Sequence, residues 1–146
     1  MLTVWKWVEA GVLTALAHQV VRAILSLSVL PPFYMERGQL WRYPGDPTFA
    51  WYPLVYLFLG FSLAYVYRRV RTALDGQGWR KGVRFGFGVW LISSIPYQSA
   101  RFILMPLPPM MAGVEILGDL LAFLASGIIL ARVLEPKIEG PGGDSQ

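Results

Sequence analysis

Residues 110–131 read MMAGVEILGDLLAFLASGIILA, an apolar stretch of helical length that contains two acidic residues. About 20 residues of α-helix cross a bilayer core about 30 Å thick, so this stretch is long enough to span a membrane. Glu115 and Asp119 lie inside it, where a charge costs at least about 2.5–3.5 kcal/mol on insertion scales. The stretch therefore predicts a membrane helix whose carboxylates face other protein groups or water.

Three further apolar runs of similar length predict three more spanning helices, at residues 10–30, 49–67 and 85–105. Of the 146 residues, 55% are hydrophobic and only 15% are charged, whereas soluble domains average about 25% charged residues. The runs leave little sequence for a soluble domain. The sequence therefore predicts an all-α polytopic membrane protein, with one four-transmembrane-helix bundle over residues 1–134 and a flexible cytoplasmic tail at 135–146.

The residue types that many active sites need are scarce. There is no cysteine, which excludes disulfides and thiolate ligands, and the single histidine, His18, cannot build a multi-histidine metal or haem site within one chain. No Ser-His-Asp order, HExxH motif or nucleotide-binding fingerprint occurs. The sequence therefore predicts no catalytic residue, metal or cofactor, and we expect the lipid bilayer, not a nucleic acid, as its partner.

Basic residues are concentrated in one connection between the predicted helices. By the positive-inside rule, residues 68–84 form a cytoplasmic loop, which places both termini inside as well. We therefore expect an N-in, C-in protein of the inner membrane. Such a cluster can simply set topology, or it can also attract anionic lipid headgroups. The six candidates for headgroup contact are Arg68, Arg69, Arg71, Arg80, Lys81 and Arg84.

The connection at residues 31–48 is rich in aromatic residues and turn formers. It contains Pro31-Pro32 and Tyr43-Pro44-Gly45-Asp46-Pro47, which argue against a long regular helix. Trp41 and, just beyond the loop, Trp51 are typical of an interfacial aromatic belt. We expect this loop to lie as a cap on the outer membrane surface.

Three of the predicted helices carry one polar stripe each when their residues are placed at intervals of 100°. Lipid cannot solvate these groups, so the stripes should face one another, with the second helix at the periphery. The stripes contain His18 and Arg22 in the first run, Ser94, Gln98 and Arg101 in the third, and Glu115 and Asp119 in the fourth.

Depth along the helices predicts which charges meet. At helical rise, Arg22 and Asp119 both lie about 12–14 Å below the outer boundary, whereas Arg101 and Glu115 lie about 6–8 Å below it. The sequence therefore predicts two ion pairs near the outer face, Arg22 with Asp119 and Arg101 with Glu115. His18 should lie one turn deeper than Arg22.

Several interpretations of this network remain open. Its balanced charges favour a structural network in a non-enzymatic accessory or scaffold protein, or in a binding bundle. A polar cavity open to the outer face would instead indicate a small transporter or permease that uses Arg22 and Asp119, with proton relay through His18. A lipid-modifying enzyme is a third alternative. Small residues at helical spacing favour close helix packing, and a homodimer or a larger membrane complex is a further alternative.

Residues 51–105 resemble a recurring kind of small bacterial four-helix membrane protein. The shared features are the entry Trp51-Tyr52-Pro53, the mid-helix Gly60-Phe61-Ser62, a basic loop, and the stretch Lys81-Gly82-Val83-Arg84-Phe85-Gly86. The resemblance implies a bacterial integral membrane bundle, and it implies no activity.

Overall fold

The computed structural model describes residues 4–28 and 46–135, which form four α-helices. Most of the predicted outer cap and of the predicted tail lies outside these residues. A short 3-10 helix, Pro47–Trp51, leads into the second helix. The predicted all-α, four-helix fold is confirmed. The helices are α1 (Val4–Ser28), α2 (Tyr52–Val70), α3 (Trp79–Leu104) and α4 (Pro109–Leu134).

The helices are longer than the apolar runs predict at one end of the bundle, the basic end, which contains the start of α1, the connection between α2 and α3, and the end of α4. α1 begins at Val4 rather than at residue 10, and α3 begins at Trp79 rather than at residue 85. α2 and α4 each continue three residues past their predicted ends, to Val70 and Leu134. Lysine and arginine are good helix formers, so helical backbone continues through basic residues that an apolar window excludes.

The predicted basic loop at residues 68–84 is therefore wrong in its extent. Only residues 71–78 connect α2 to α3. Gly76 and Gly78 in this connection have positive φ angles of 101° and 53°, which glycine adopts without the steric cost of a side chain. Of the six basic residues in the predicted loop, only Arg71 lies in this connection. The other five belong to the last turn of α2 or the first turns of α3.

Within the described residues, three helical segments are long and apolar enough to span a membrane, namely α1, Pro47–Val70 and α4. This property indicates a multi-pass membrane protein. α3 has 26 residues but is not among the three. Polar residues such as Gln98 and Arg101 lower its mean hydropathy, so the fourth span stays a prediction.

The helices pack in the order α2, α1, α4, α3 across the bundle, because α1 contacts both α2 and α4, and α3 packs mainly on α4. The predicted peripheral position of the second helix is confirmed. Glycines allow the closest approaches: a Cβ on Gly60 would collide with the Gly11 carbonyl oxygen, and one on Gly82 with the Gly127 carbonyl oxygen. Small residues at these crossings let the backbones touch.

The buried residues divide the bundle into two halves. The half beside the α2–α3 connection has an apolar core, in which the Tyr67 and Phe85 rings meet edge to face at 5.0 Å. The opposite half buries polar side chains, among them Gln98 and Glu115. Large apolar side chains such as Ile103, which is 80% exposed, lie on the outside of the bundle. This distribution suits contact with lipid.

Candidate functional site

Four charged side chains from α1, α3 and α4 meet in the polar half of the bundle. Arg22 Nη1 lies 3.0 Å from Asp119 Oδ1, and Arg101 Nη1 lies 2.6 Å from Glu115 Oε2. Both predicted ion pairs are confirmed. The four side chains, together with Ser94 and Gln98, are called the charge network below.

The two pairs are joined in a way that their depths do not predict. Arg22 Nη2 also lies 3.8 Å from Glu115 Oε2, and Arg22 Nη1 donates to the Glu115 main-chain oxygen over 3.3 Å. Arg22 of α1 therefore contacts two successive turns of α4. This arrangement resists both rotation and sliding of one helix against the other.

Gln98 connects the two carboxylates. Its Nε2 donates to Glu115 Oε2 over 3.1 Å and to Asp119 Oδ2 over 3.0 Å, while its Oε1 accepts from Arg101 over 3.1 Å. Ser94 Oγ donates to Asp119 Oδ2 over 2.5 Å. The polar stripe of α3 thus binds the acidic stripe of α4 along its whole length.

The network is buried and carries no formal net charge, since two guanidinium groups face two carboxylates. The Glu115 side chain is 4% exposed, whereas those of Arg22, Arg101 and Asp119 are 14–16% exposed. Within the described part of the chain, Thr14 Oγ1 is the one fully buried side-chain polar atom without a hydrogen-bond partner. The buried polar atoms of the network are therefore all partnered, as burial in a medium of low dielectric constant requires.

Gly118 makes room for the guanidinium of Arg22. A Cβ at this position would lie 3.1 Å from Arg22 Nη1 and 2.8 Å from Leu25 Cδ1. The spacing of small residues in α4 predicts only close helix packing and does not connect Gly118 with the network. The available signal was its position next to Asp119, the predicted partner of Arg22.

His18 lies outside the ion pairs, one turn of α1 deeper than Arg22, as its position in the sequence predicts. In the structure it forms a hydrogen bond with α4. Its Nδ1 lies 3.2 Å from Ser126 Oγ, and Ser126 Oγ donates to the Ala122 carbonyl oxygen over 2.7 Å. Because a serine hydroxyl has one hydrogen, Ser126 must accept from His18, which makes Nδ1 the protonated nitrogen. The Phe123 ring packs edge-on against the imidazole at 4.8 Å.

The six basic residues at the other end of the bundle do not share one environment. Arg71 Nη1 donates to the Leu134 carbonyl oxygen over 2.8 Å, and Lys81 Nζ lies 3.6 Å from Glu135 Oε2. These two cations therefore hold the end of α4, where a helix terminus favours positive charge. Arg84 pairs at 3.7 Å with exposed Asp75, while Arg68, Arg69 and Arg80 are exposed.

Among the described residues, no group of three or more histidine, cysteine or acidic side chains is arranged to hold a metal ion. The arrangement can hold helices in register, and the side chains of Arg22, Arg101 and Asp119 remain partly exposed. No protein-family model matches the chain, and no similar curated protein or solved structure is found.

Proposed function

We propose that this chain is a small non-enzymatic scaffold or accessory protein of the inner membrane, in which the charge network holds α1, α3 and α4 in register. The observation that carries the proposal is that Gln98, which lies between the two carboxylates, uses its hydrogen-bonding groups within the network. Both N–H groups of Gln98 bond to carboxylates, and its oxygen accepts from Arg101. A substrate would have to displace one of these contacts. Such a scaffold would bind a second copy of itself, as a homodimer, or the subunits of a larger membrane complex.

α3 acts in this proposal as the fourth span. Its polar groups Ser94 and Gln98 are buried against α4, whereas Ile92 and Ile103 on its outer face are 76% and 80% exposed. Pairing with α4 removes the polar stripe of α3 from lipid and leaves an apolar surface outside. A composition average over the whole helix does not register this division into two faces.

The orientation is N-in and C-in. The N-terminal end of α1, the α2–α3 connection and the C-terminal end of α4 all lie at one end of the bundle, because helices in contact run antiparallel. This end carries the six basic residues of 68–84 and also Lys6 and Arg132. The positive-inside rule places such an end in the cytoplasm, and the charge network then lies in the outer half of the membrane.

A small transporter that uses Arg22 and Asp119 is the second candidate. The observation that favours it is the partial exposure of their side chains, at 16% and 14%. Water that reaches the Asp119 carboxylate could exchange protons there. Ionisable residues inside membranes often mark such pathways.

Proton flux into proteoliposomes distinguishes the two functions. The scaffold proposal expects wild type and the charge-neutral variant Arg22→Met/Asp119→Leu to match protein-free liposomes. Flux through wild type that the double variant abolishes would overturn it in favour of transport. The accessory role is then tested by purification in mild detergent, where a membrane protein should accompany the chain at a constant ratio and remain with the double variant.

A further inference from the structure

A groove separates the N-terminal part of α1 from the last turns of α2 at the basic end of the bundle. It has a volume of about 530 Å³ and is lined by Trp7, Tyr65, Arg68 and Arg69. Small-molecule sites in proteins typically enclose about 300–1,000 Å³. The groove lies at the end of two of the candidate spanning segments, which is the level of the lipid headgroups in a bilayer.

The two arginines of the groove differ from the basic residues around them. Arg71 and Lys81 bond to the end of α4, and Arg84 pairs with Asp75. Arg68 and Arg69 form no ion pair with another described residue, and both are exposed. Two guanidinium groups thus line one concave surface without a carboxylate among its lining residues.

Two aromatic side chains line the groove beside these cations. The Trp7 ring packs on Phe61 with 5.0 Å between ring centroids, and Arg69 Cζ lies 5.3 Å from the centre of the Tyr65 ring. Tryptophan and tyrosine are enriched at the membrane interface, because one part of each ring system is apolar and the other part forms hydrogen bonds. A guanidinium group can donate two parallel N–H hydrogen bonds to two oxygens of one phosphate. The groove therefore combines a phosphate-binding edge with an apolar wall.

We propose that this groove binds the phosphate of one anionic phospholipid from the cytoplasmic leaflet. Arg68 and Arg69 contact the headgroup, and Trp7 and Tyr65 contact the glycerol and the first methylene groups. The cytoplasmic leaflet is the anionic one, so its charge complements the two cations. The choice of leaflet rests on the proposed orientation, whereas binding of the lipid rests only on the groove.

Native mass spectrometry of the full chain in mild detergent tests the site. The probes are phosphatidylglycerol and phosphatidylcholine with identical acyl chains. We expect one retained phosphatidylglycerol per chain, and Arg68→Gln/Arg69→Gln should weaken its binding by roughly thirtyfold. The matched control, Arg80→Gln/Arg84→Gln, removes the same charge from α3 at the same end of the bundle and should weaken binding by less than about twofold.

Equal losses in the two double variants would overturn the proposal, because they would indicate diffuse attraction rather than a site. Equal retention of the two lipids, or displacement of phosphatidylglycerol by millimolar inorganic phosphate, would also overturn it. Arg68→Lys/Arg69→Lys keeps both charges and should retain more lipid than the glutamine pair. If it does not, charge recognition is refuted. Binding in detergent is independent of orientation, so cysteine labelling in cells can contradict the proposed topology while the lipid site stands.

Discussion

Replacing Asp119 with leucine should destabilise the bundle, because the Arg22 guanidinium loses the carboxylate that lies 3.0 Å away. Breaking one side of a buried ion pair typically costs about 3–5 kcal/mol. Arg22 keeps its 3.3 Å hydrogen bond to the Glu115 main-chain oxygen and its 3.8 Å contact with that residue's carboxylate, and its side chain is 16% exposed. We therefore expect the lower end of the range, about 3 kcal/mol of unfolding free energy.

The reciprocal substitution and the double variant complete a thermodynamic cycle. Arg22→Met should cost a similar amount, because Asp119 then keeps only its bonds from Ser94 and Gln98. Arg22→Met/Asp119→Leu restores a neutral network with side chains of similar volume and should cost less than either single change. The coupling free energy should therefore reach at least about 3 kcal/mol.

Equilibrium unfolding of the four proteins in detergent micelles, followed by far-UV circular dichroism, measures this coupling. The exposed pair Arg84–Asp75, whose side chains are 56% and 96% exposed at a separation of 3.7 Å, is the matched control and should show little coupling. Losses for Arg22 and Asp119 that add to within about 0.5 kcal/mol would refute the reasoning, because they would mean that the two residues do not interact.

Three further predictions concern topology, packing and the histidine. The chain contains no cysteine, so a single cysteine at Thr48 should react with an impermeant thiol reagent in intact cells, and one at Gln77 should not; the reverse pattern would contradict the N-in, C-in orientation. Gly82→Leu should destabilise the bundle by about 3 kcal/mol because it drives α3 away from α4, whereas Gly88→Leu, with no atom within 4 Å of its Cβ, should be tolerated; equal effects on thermal unfolding would disprove the crossing. Nitrogen NMR of His18 should find Nδ1 protonated, because Ser126 donates its one hydrogen to the Ala122 carbonyl oxygen; the opposite tautomer would show that Ser126 donates to Nδ1 instead.

The partners in the charge network could be predicted from local geometry. A helix rotates by 100° and rises 1.5 Å per residue, so sequence position determines both the face and the depth of a side chain. For Arg22 and Asp119, and for Arg101 and Glu115, equal depth on facing stripes identified the contact. Lipid cannot solvate these charges, so only pairing between helices was available to them.

The bridging contacts could not be predicted in the same way. Gln98 reaches both carboxylates, and Arg22 spans two turns of α4, only because the helix axes approach to a particular distance and the side chains adopt particular rotamers. The close approach of Arg22 to Gly118 depends on the same helix spacing and rotamers. The position of Arg71 and Lys81 at the end of α4 depends on residues 63 and 54 positions apart in the chain, which no local pattern relates.

By itself, the sequence determined the class of the protein: the long apolar runs require helices, and the charges within them require partners on neighbouring helices. The tertiary structure alone decided where the helices begin, which of the basic residues are bound to α4, and that Arg68 and Arg69 share a groove with Trp7. The physical reason is that periodicity describes one helix at a time. Distances between helices depend instead on the packing of side chains from all of them, including glycines such as Gly82 that admit the closest approach.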